Sequence, residues 1–227
     1  SLKIIIDNSA AQTSLSITEP KFREYVTSGS SFTLTATDLG AIPSGVQYTK
    51  YRITYSTNTG NWLTYSTTYF ITGVDGIYKL EYYSDDNVEN TESVRSITVK
   101  LDNTAPVTAI TPTGGTQWTS ADGKLYANLD TQYALTAEDP VKYEVASGTN
   151  SIFYKVDNTS AWSLYTQPIT LGEGIHTIYY QSVDNVLNRE ETKSLTVYVD
   201  NTAPVTAAGI GQPHDNTYQF SVINSNT

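Results

Sequence analysis

The chain has 227 residues, enough for one large or two ordinary domains, each with its own core. Its formal net charge of -10 would repel a phosphate backbone, which argues against nucleic acid as a partner. The absence of Cys removes disulfides and thiolate chemistry, and no window approaches the roughly 20 apolar residues of a membrane helix. Thr, Tyr, Val and Ile are abundant, and these residues favour half-buried strands, so the composition predicts an all-β fold.

One boundary sequence occurs three times along the chain. An alternating strand ends at Asp7, Asp102 and Asp200, and each Asp is followed by Asn and then by Ser-Ala or Thr-Ala-Pro. The three aspartates lie 95 and 98 residues apart, the length of an immunoglobulin-like domain. The sequence therefore predicts the last strand of a preceding repeat at residues 1–7, repeat 1 at 8–102, repeat 2 at 103–200 and the truncated start of a third repeat at 201–227.

Strands are predicted where apolar and polar residues alternate with period two between clusters of Gly, Asn and Asp. In repeat 1 this pattern marks residues 13–18, 31–38, 50–55, 77–84 and 94–101, and repeat 2 has the equivalents. The apolar face of these strands predicts six core residues: Leu34, Leu80, Val99, Leu135, Ile178 and Val197. One-sided strands of this kind predict tandem immunoglobulin-like antiparallel β-sandwiches.

The end of each repeat carries a longer motif. In repeat 2 it runs from Gly174-Ile-His176 through Ser182-Val-Asp184-Asn185 to Asn188-Arg-Glu190, and Val199-Asp200-Asn201-Thr202-Ala203-Pro204 follows. This motif resembles the bacterial immunoglobulin-like tandem repeats called outer-membrane-type β-barrel repeat domains, and more distantly the repeats of large adhesins. The resemblance implies a non-catalytic extracellular or cell-surface protein. The family usually has Gly where Glu89 and Leu187 stand, so a wider turn is expected here.

Asp and Asn residues give the strongest chemical lead. In an immunoglobulin-like sandwich the second and sixth strands run the same way, so Asp139 and Asp184 should meet where the linker delivers Asp102 and Asn103. Carboxylates and carbonyls suit Ca²⁺, and the sequence thus predicts calcium at the domain junctions. Alternatively, each Asp accepts turn hydrogen bonds without a metal. The equivalent residues in repeat 1 are Asp7, Asn8, Asp38 and Asp86.

No catalytic constellation is found, since no nucleophile and base recur together in the repeats. His176 takes the place of Tyr78, at a corner where such folds use Tyr to hydrogen-bond the backbone, so we interpret it as structural. His214 is interpreted as a solvated loop residue. The chain is therefore predicted not to be an enzyme.

Aromatic residues are frequent, with 18 Tyr and three Trp. Trp62 and Trp162 recur in the same Trp-x-x-Tyr setting, which favours packing, whereas Trp118 has no counterpart in repeat 1 and is the best candidate for a sugar platform. Lys155 is the Lys to inspect for a Lys–Asn cross-link. The sequon that starts at Asn158 is interpreted as a turn.

Two functions follow from these observations. The first is a structural or adhesive segment, a stalk or spacer, of a larger bacterial surface or secreted protein. Its partners would be neighbouring repeats of the same polypeptide, and a host or surface protein or glycan. The alternative is a carbohydrate-binding accessory module of a secreted polysaccharide-active enzyme.

Overall fold

The computed structural model describes residues 3–158 and 161–207, and every regular element in these residues is a β-strand. The strands form two successive β-sandwiches. The first contains β1 (Ala11–Ile17), β2 (Lys21–Phe22), β3 (Tyr25–Val26), β4 (Ser31–Asp38), β5 (Val46–Tyr55), β6 (Asn58–Thr59), β7 (Leu63–Thr64), β8 (Tyr69–Phe70), β9 (Gly76–Asp86) and β10 (Arg95–Leu101). The second contains β11 (Val107–Thr113), β12 (Gln117–Thr119), β13 (Leu125–Ala127), β14 (Gln132–Glu138), β15 (Thr149–Val156), β16 (Ser163–Leu164), β17 (Ile169–Thr170), β18 (Gly174–Asp184) and β19 (Lys193–Val199).

Both sandwiches pair a small sheet with a large one. In the first, β1, β4 and β8 face a sheet ordered β2-β3-β10-β9-β5-β6, with β7 also beside β5. In the second, β11, β14 and β17 face a sheet ordered β12-β13-β19-β18-β15-β16. The predicted tandem immunoglobulin-like sandwich is confirmed. Each large sheet also contains one parallel pair, β3 with β10 in the first sandwich and β13 with β19 in the second. The pairs arise because the chain crosses from the small to the large sheet after the first long strand.

The strand limits differ most from the prediction at β5. The predicted strand 31–38 coincides with β4, and the limits of β9 and β10 lie within two residues of prediction. β5, however, begins at Val46 rather than at residue 50. Its pairing with β9 shifts register between Val46 and Tyr48, and this irregularity interrupts the period-two alternation on which the prediction relied.

The predicted core residues are all buried. Each of the six exposes 5% or less of its surface: Leu34, Leu80, Val99, Leu135, Ile178 and Val197. Leu80 and Val99 belong to the apolar cluster of the first sandwich, and Leu135, Ile178 and Val197 belong to that of the second. The faces of the strands were therefore predicted correctly.

A buried carboxylate ties the two sheets of each sandwich together. In the second sandwich, Glu190 accepts hydrogen bonds from the N–H and Oγ1 of Thr108 at 2.9 and 2.6 Å. The same carboxylate accepts from the N–H and Oγ of Ser182 at 3.2 and 3.0 Å. Thr108 lies on β11 in the small sheet and Ser182 on β18 in the large sheet. In the first sandwich Glu92 binds Thr13 of β1 in the same way.

The segments before the first sandwich and after the second do not test the predicted neighbouring repeats. Residues 3–10 form no strand, and the assignment of residues 1–7 to a preceding repeat stays a prediction. Most of the predicted third repeat, with His214, lies outside the described residues. No helix long and apolar enough to cross a membrane occurs in the described part of the chain.

The turn after the longest strand keeps a tight geometry in both repeats. Glu89 and Leu187 each have a φ of 69°, in the left-handed region that Gly favours. The N–H of Leu187 still reaches the carbonyl oxygen of Asp184, at 3.4 Å. The wider turn implied by the family resemblance is therefore not what the structure has, since the non-Gly residues adopt the conformation of Gly.

Replacing Leu187 by Gly should raise the free energy of unfolding by about 0.5 to 1 kcal/mol. A left-handed backbone costs a residue with a Cβ about 1–2 kcal/mol, and Gly removes this strain. Gly also has more conformational freedom in the unfolded chain, which offsets about 0.5–1 kcal/mol of the stabilisation. Leu187 is 66% exposed, so little packing is lost. Urea unfolding measures the change. Leu164→Gly, at an exposed strand position, should instead destabilise, and a loss of stability in both variants would contradict the strained turn.

Candidate metal site at the domain junctions

The structure brings three carboxylates together where the chain enters the second sandwich. One oxygen each from Asp102, Asp139 and Asp184 lies within 4.8 Å of the other two, and all three residues are buried. Asp102 follows β10, Asp139 follows β14 and Asp184 ends β18. We call this cluster site 2, and the equivalent Asp7, Asp38 and Asp86 site 1.

Asp102 belongs to the linker but is bound to the second sandwich. Its Oδ2 accepts the N–H of Ser147 at 2.7 Å, and its backbone carbonyl accepts the Nδ2 of Asn188 at 2.9 Å. Its Oδ1 accepts the N–H of Thr104, two residues along the chain, at 3.1 Å. Both carboxylate oxygens therefore have donors, which fix the orientation of the group.

Asp184 is held by the turn that follows it. Its Oδ1 accepts the N–H groups of Val186 and Asn188 at 2.9 and 2.8 Å, and its Oδ2 accepts the Nδ2 of Asn188 at 2.7 Å. Asn188 thus links Asp184 to the linker carbonyl of Asp102. This turn geometry is what the metal-free interpretation of the sequence expects.

Two buried oxygens at site 2 have no hydrogen-bond partner. Asp139 uses Oδ2 to accept the N–H of Gly148 at 2.7 Å, but its Oδ1 is unpartnered. The Oγ of Ser147 is likewise buried and unpartnered, on the residue whose N–H binds Asp102. An unsatisfied buried polar group costs about 1–3 kcal/mol, so these atoms are suited to a further ligand or a proton.

The charges at site 2 oppose one another. Burial, followed by the charges of Asp102 and Asp184, raises the pKa of Asp139 to about 6, although the N–H of Gly148 lowers it. Burial also raises the pKa of Asp184, again despite its hydrogen bonds. Two unit charges about 5 Å apart repel by about 3 kcal/mol at an effective dielectric constant of 20. Near neutral pH the cluster therefore favours uptake of positive charge, as a proton or a cation.

In the presence of a chelator, acidification from pH 7 to pH 5 should stabilise the second sandwich through Asp139 by about 1 kcal/mol. Its folded pKa of about 6 lies above the ordinary value of 3.8, so the folded state takes up the proton first. This contribution grows as the pH falls through 6 and is complete below about 4. Unfolding of the wild type and of Asp139→Asn across this range isolates the effect. An equal pH dependence in both proteins would contradict it.

Site 1 has the same connections but is more open. Asp7 accepts the N–H of Ser9 and Ser44 at 3.1 and 2.7 Å, and these bonds lower its pKa despite some desolvation. Burial acts to raise the pKa of Asp86, but hydrogen bonds from Asn90 and Val88 outweigh it, so the net shift is downward. Asp7 is only half-buried, so water screens this cluster better than site 2.

The unpartnered oxygens of site 2 recur at site 1. Asp38 accepts the N–H of Gly45 through Oδ2 at 2.6 Å, and its Oδ1 is buried without a partner. The Oγ of Ser44 is also buried without a partner. Asp38 and Ser44 correspond to Asp139 and Ser147 of site 2, so the same two side chains are left unsatisfied in both repeats.

Two predicted ligands lie away from these clusters. The Oδ1 of Asn103 accepts the N–H of Ser28 at 2.8 Å, and its own N–H donates to Asp75 at 2.8 Å, so it contacts the first sandwich. Asn8 is exposed. Sequence reasoning also overlooked Ser147 and Asn188. Their signal is present, because a Ser-Gly pair and the final Asn of the turn recur in both repeats.

The corner residues of the two repeats differ in partner. The OH of Tyr78 donates to the carbonyl oxygen of Val74 at 2.8 Å, as expected for a corner Tyr. His176 instead places Nδ1 2.9 Å from a carboxylate oxygen of Asp157, so its structural role does not use the backbone. This hydrogen bond is the main cause that lowers the pKa of Asp157.

The repeated Trp residues lie on the sheet surface beneath cations rather than in the core. The guanidinium of Arg52 lies 4.6 Å from the ring centroid of Trp62, and the Nζ of Lys155 lies 5.5 Å from that of Trp162. Lys155 also lies over Tyr179, so the described contacts of its amine are with aromatic rings. Asn158 lies in a turn, as predicted, whereas the other two sequon positions are outside the described residues.

No protein-family model and no curated protein matches the chain. The resemblance to the outer-membrane-type repeats therefore stays a prediction. Ten chains of solved structures match. One is the structure of fibronectin(III)-like modules of CbhA from Clostridium thermocellum, which is 14% identical, has a TM-score of 0.41, and covers 86% of this chain and 100% of its own.

Proposed function

We propose that the chain is a non-catalytic spacer or stalk segment of a larger bacterial surface or secreted protein, with neighbouring repeats of the same polypeptide as partners. One observation carries this proposal: the linker between the sandwiches is hydrogen-bonded to both. Asn103 binds Ser28 and Asp75 of the first sandwich, whereas Asp102 binds Ser147 and Asn188 of the second. A linker fixed on both sides transmits orientation along an array, as a spacer requires.

The same linker geometry recurs along the chain. The N–H of Asp102 donates to Val26 and that of Asp200 donates to Ala127, both at 2.9 Å. The Oδ1 atoms of Asp7, Asp102 and Asp200 accept the N–H two residues on, at 3.1, 3.1 and 2.9 Å respectively. The recurrence of these contacts at the boundary aspartates supports a regular array of repeats.

The proposal is tested by the tumbling of the two sandwiches in solution. ¹⁵N relaxation should give one rotational correlation time for both, and small-angle scattering should give a single narrow distribution of dimensions. Separate correlation times, each appropriate to an isolated sandwich, would contradict a fixed joint and with it the spacer function.

Replacing Asn188 by Ala should loosen this joint. The variant removes the only side chain that bridges Asp102 and Asp184 in the described residues, and leaves two buried acceptors without a donor. We expect a loss of about 1–3 kcal/mol in the stability of the second sandwich and a broader distribution of scattering dimensions. Asn61→Ala, at an exposed loop position, is the matched control and should change neither quantity.

A glycan-binding accessory module is the second candidate function, favoured by one aromatic surface. Trp118, Tyr126 and Tyr198 lie on the adjacent strands β12, β13 and β19, with successive ring centroids 5.6 and 5.2 Å apart. Trp118 is 63% exposed. Exposed aromatic faces offer apolar area to the faces of sugar rings.

A glycan array screened with the chain and two variants tests this alternative. Trp118→Ala should abolish binding, whereas Trp162→Ala, which removes a Trp that lies beneath Lys155, should retain it. An array without signal for the wild-type chain would exclude the accessory function and leave the spacer proposal unchanged.

A further inference from the structure

We infer that site 2 is a binding site for a hard divalent cation, with Ca²⁺ as its natural ligand, formed by Asp102, Asp139, Asp184 and the Oγ of Ser147. The inference rests on the proposed spacer function, because the cation would stiffen the joint that orients the repeats. It adds a ligand and a means of regulation to that joint.

The first argument is charge. Three carboxylates are buried together, and among residues 3–158 and 161–207 no Lys, Arg or His forms an ion pair with any of them. The buried acid Glu190, by contrast, is paired with Lys193. Buried charges in proteins are paired or coordinate metals, so the cluster lacks a positive partner that a divalent cation would supply.

The second argument is the pair of unpartnered oxygens. Asp139 is 8% exposed and Ser147 7%, and each has one buried side-chain oxygen without a donor or acceptor. Asp38 and Ser44 at site 1 repeat the same deficit. Equivalent oxygens therefore lack a hydrogen-bond partner in two repeats whose sequences differ. This recurrence is explained if the oxygens of each repeat bind the same kind of ligand.

The third argument is the donor set. Every candidate ligand atom is an oxygen, as hard cations prefer, and no sulfur or imidazole nitrogen enters the cluster. Ca²⁺ takes about six to eight oxygens in flexible geometry, so three carboxylates and a hydroxyl leave room for water. Mg²⁺ demands near-octahedral geometry and keeps more of its own water, so a cluster built from two strand ends and a linker suits Ca²⁺ better.

The position of the cluster couples the cation to the joint. Asp102 is contributed by the linker, whereas Asp139 and Asp184 belong to the second sandwich. A cation shared by all three holds the linker against the pole of the second sandwich. Binding therefore favours the docked linker over an open one by mass action. Site 1 has the same design, but its greater exposure should make it the weaker of the two.

Calorimetric titration and thermal unfolding of the whole chain test the inference, with CaCl₂ at about 10 mM, above the weakest dissociation constants of extracellular calcium modules, compared with EDTA. The wild type should bind Ca²⁺ and melt several degrees higher than in EDTA. MgCl₂ at the same concentration should give a smaller shift.

Two variants separate the ligand role of Asp139 from a general effect of charge. In EDTA, Asp139→Asn should melt at or above the wild-type temperature, because one repelling charge is gone. In CaCl₂ it should lose the tighter of the two binding events. Asp130→Asn removes a charge from an exposed position of the same sandwich and should bind as the wild type does.

The outcomes distinguish this inference from the spacer proposal. No heat of binding together with equal melting temperatures in CaCl₂ and EDTA would overturn the cation site. Binding that survives unchanged in Asp139→Asn would also overturn it. If the sandwiches nevertheless tumble as one body in EDTA, the spacer proposal stands without the cation. Independent tumbling of the sandwiches in both CaCl₂ and EDTA would contradict the spacer proposal.

Discussion

Replacing Glu190 by Ala should lower the free energy of unfolding of the second sandwich by about 3–4 kcal/mol. The carboxylate accepts four hydrogen bonds from Thr108 and Ser182, and these donors are buried between the two sheets. An unsatisfied buried donor costs about 1–3 kcal/mol, and partial rearrangement around the smaller side chain keeps the total below the sum. Urea unfolding followed by Trp fluorescence measures the loss.

The neighbouring Glu191 provides the control for this variant. It carries the same charge in an exposed position, so Glu191→Ala should change stability by less than about 0.5 kcal/mol. Glu190→Gln should fall between the two, because the amide keeps one acceptor oxygen but adds a donor without a partner. A loss below about 1 kcal/mol in Glu190→Ala would mean that the carboxylate does not hold the sheets together.

Replacing Ile178 by Ala should cost about 2–5 kcal/mol. Its side chain is fully buried at the centre of the second core, where a cavity forms because the surrounding sheets relax only in part. The packed neighbours include Leu135 and Val197 from the opposite sheet and the adjacent strand. Equilibrium denaturation of the whole chain should show the second sandwich unfolding earlier, while the transition of the first is unchanged.

Ile175 lies three residues away on the same strand and is 64% exposed. Ile175→Ala should change stability by less than about 0.5 kcal/mol, since it removes the same atoms from a position that is already in water. If both variants lost stability equally, the assignment of the faces of β18 would be wrong.

The fold could be predicted well from the sequence because the same alternation of apolar and polar residues occurs in both repeats. Leu80 and Ile178 occupy equivalent buried places on β9 and β18, and comparing the repeats identifies both. The prediction was less accurate where the pairing shifts register, as at Val46, and where a two-residue strand such as β3 crosses to the opposite sheet. Such features depend on tertiary contacts and leave little periodic signal.

The candidate site could be predicted only in part, because topology places strand ends but does not orient side chains. Asp139 and Asp184 meet Asp102 as the strand directions require. Asn103 follows Asp102 directly, yet successive residues of an extended linker point to opposite sides, and its side chain reaches Ser28 of the first sandwich. Ser147 was overlooked because a Ser-Gly pair is also common in ordinary turns, so that only its recurrence in both repeats distinguishes it.

The position of Asp102 gives the pair of sandwiches a direction. By sequence this residue ends one repeat, but its carboxylate and carbonyl serve the next, where they accept from Ser147 and Asn188. The segment that repeats and the segment that folds as a unit are therefore offset along the chain. A fragment that started at residue 103 would take away the acceptor of the Ser147 N–H and one of the two acceptors of the Asn188 amide, whereas one that started a few residues earlier would keep them. The first repeat thus supplies acceptors on which the second depends.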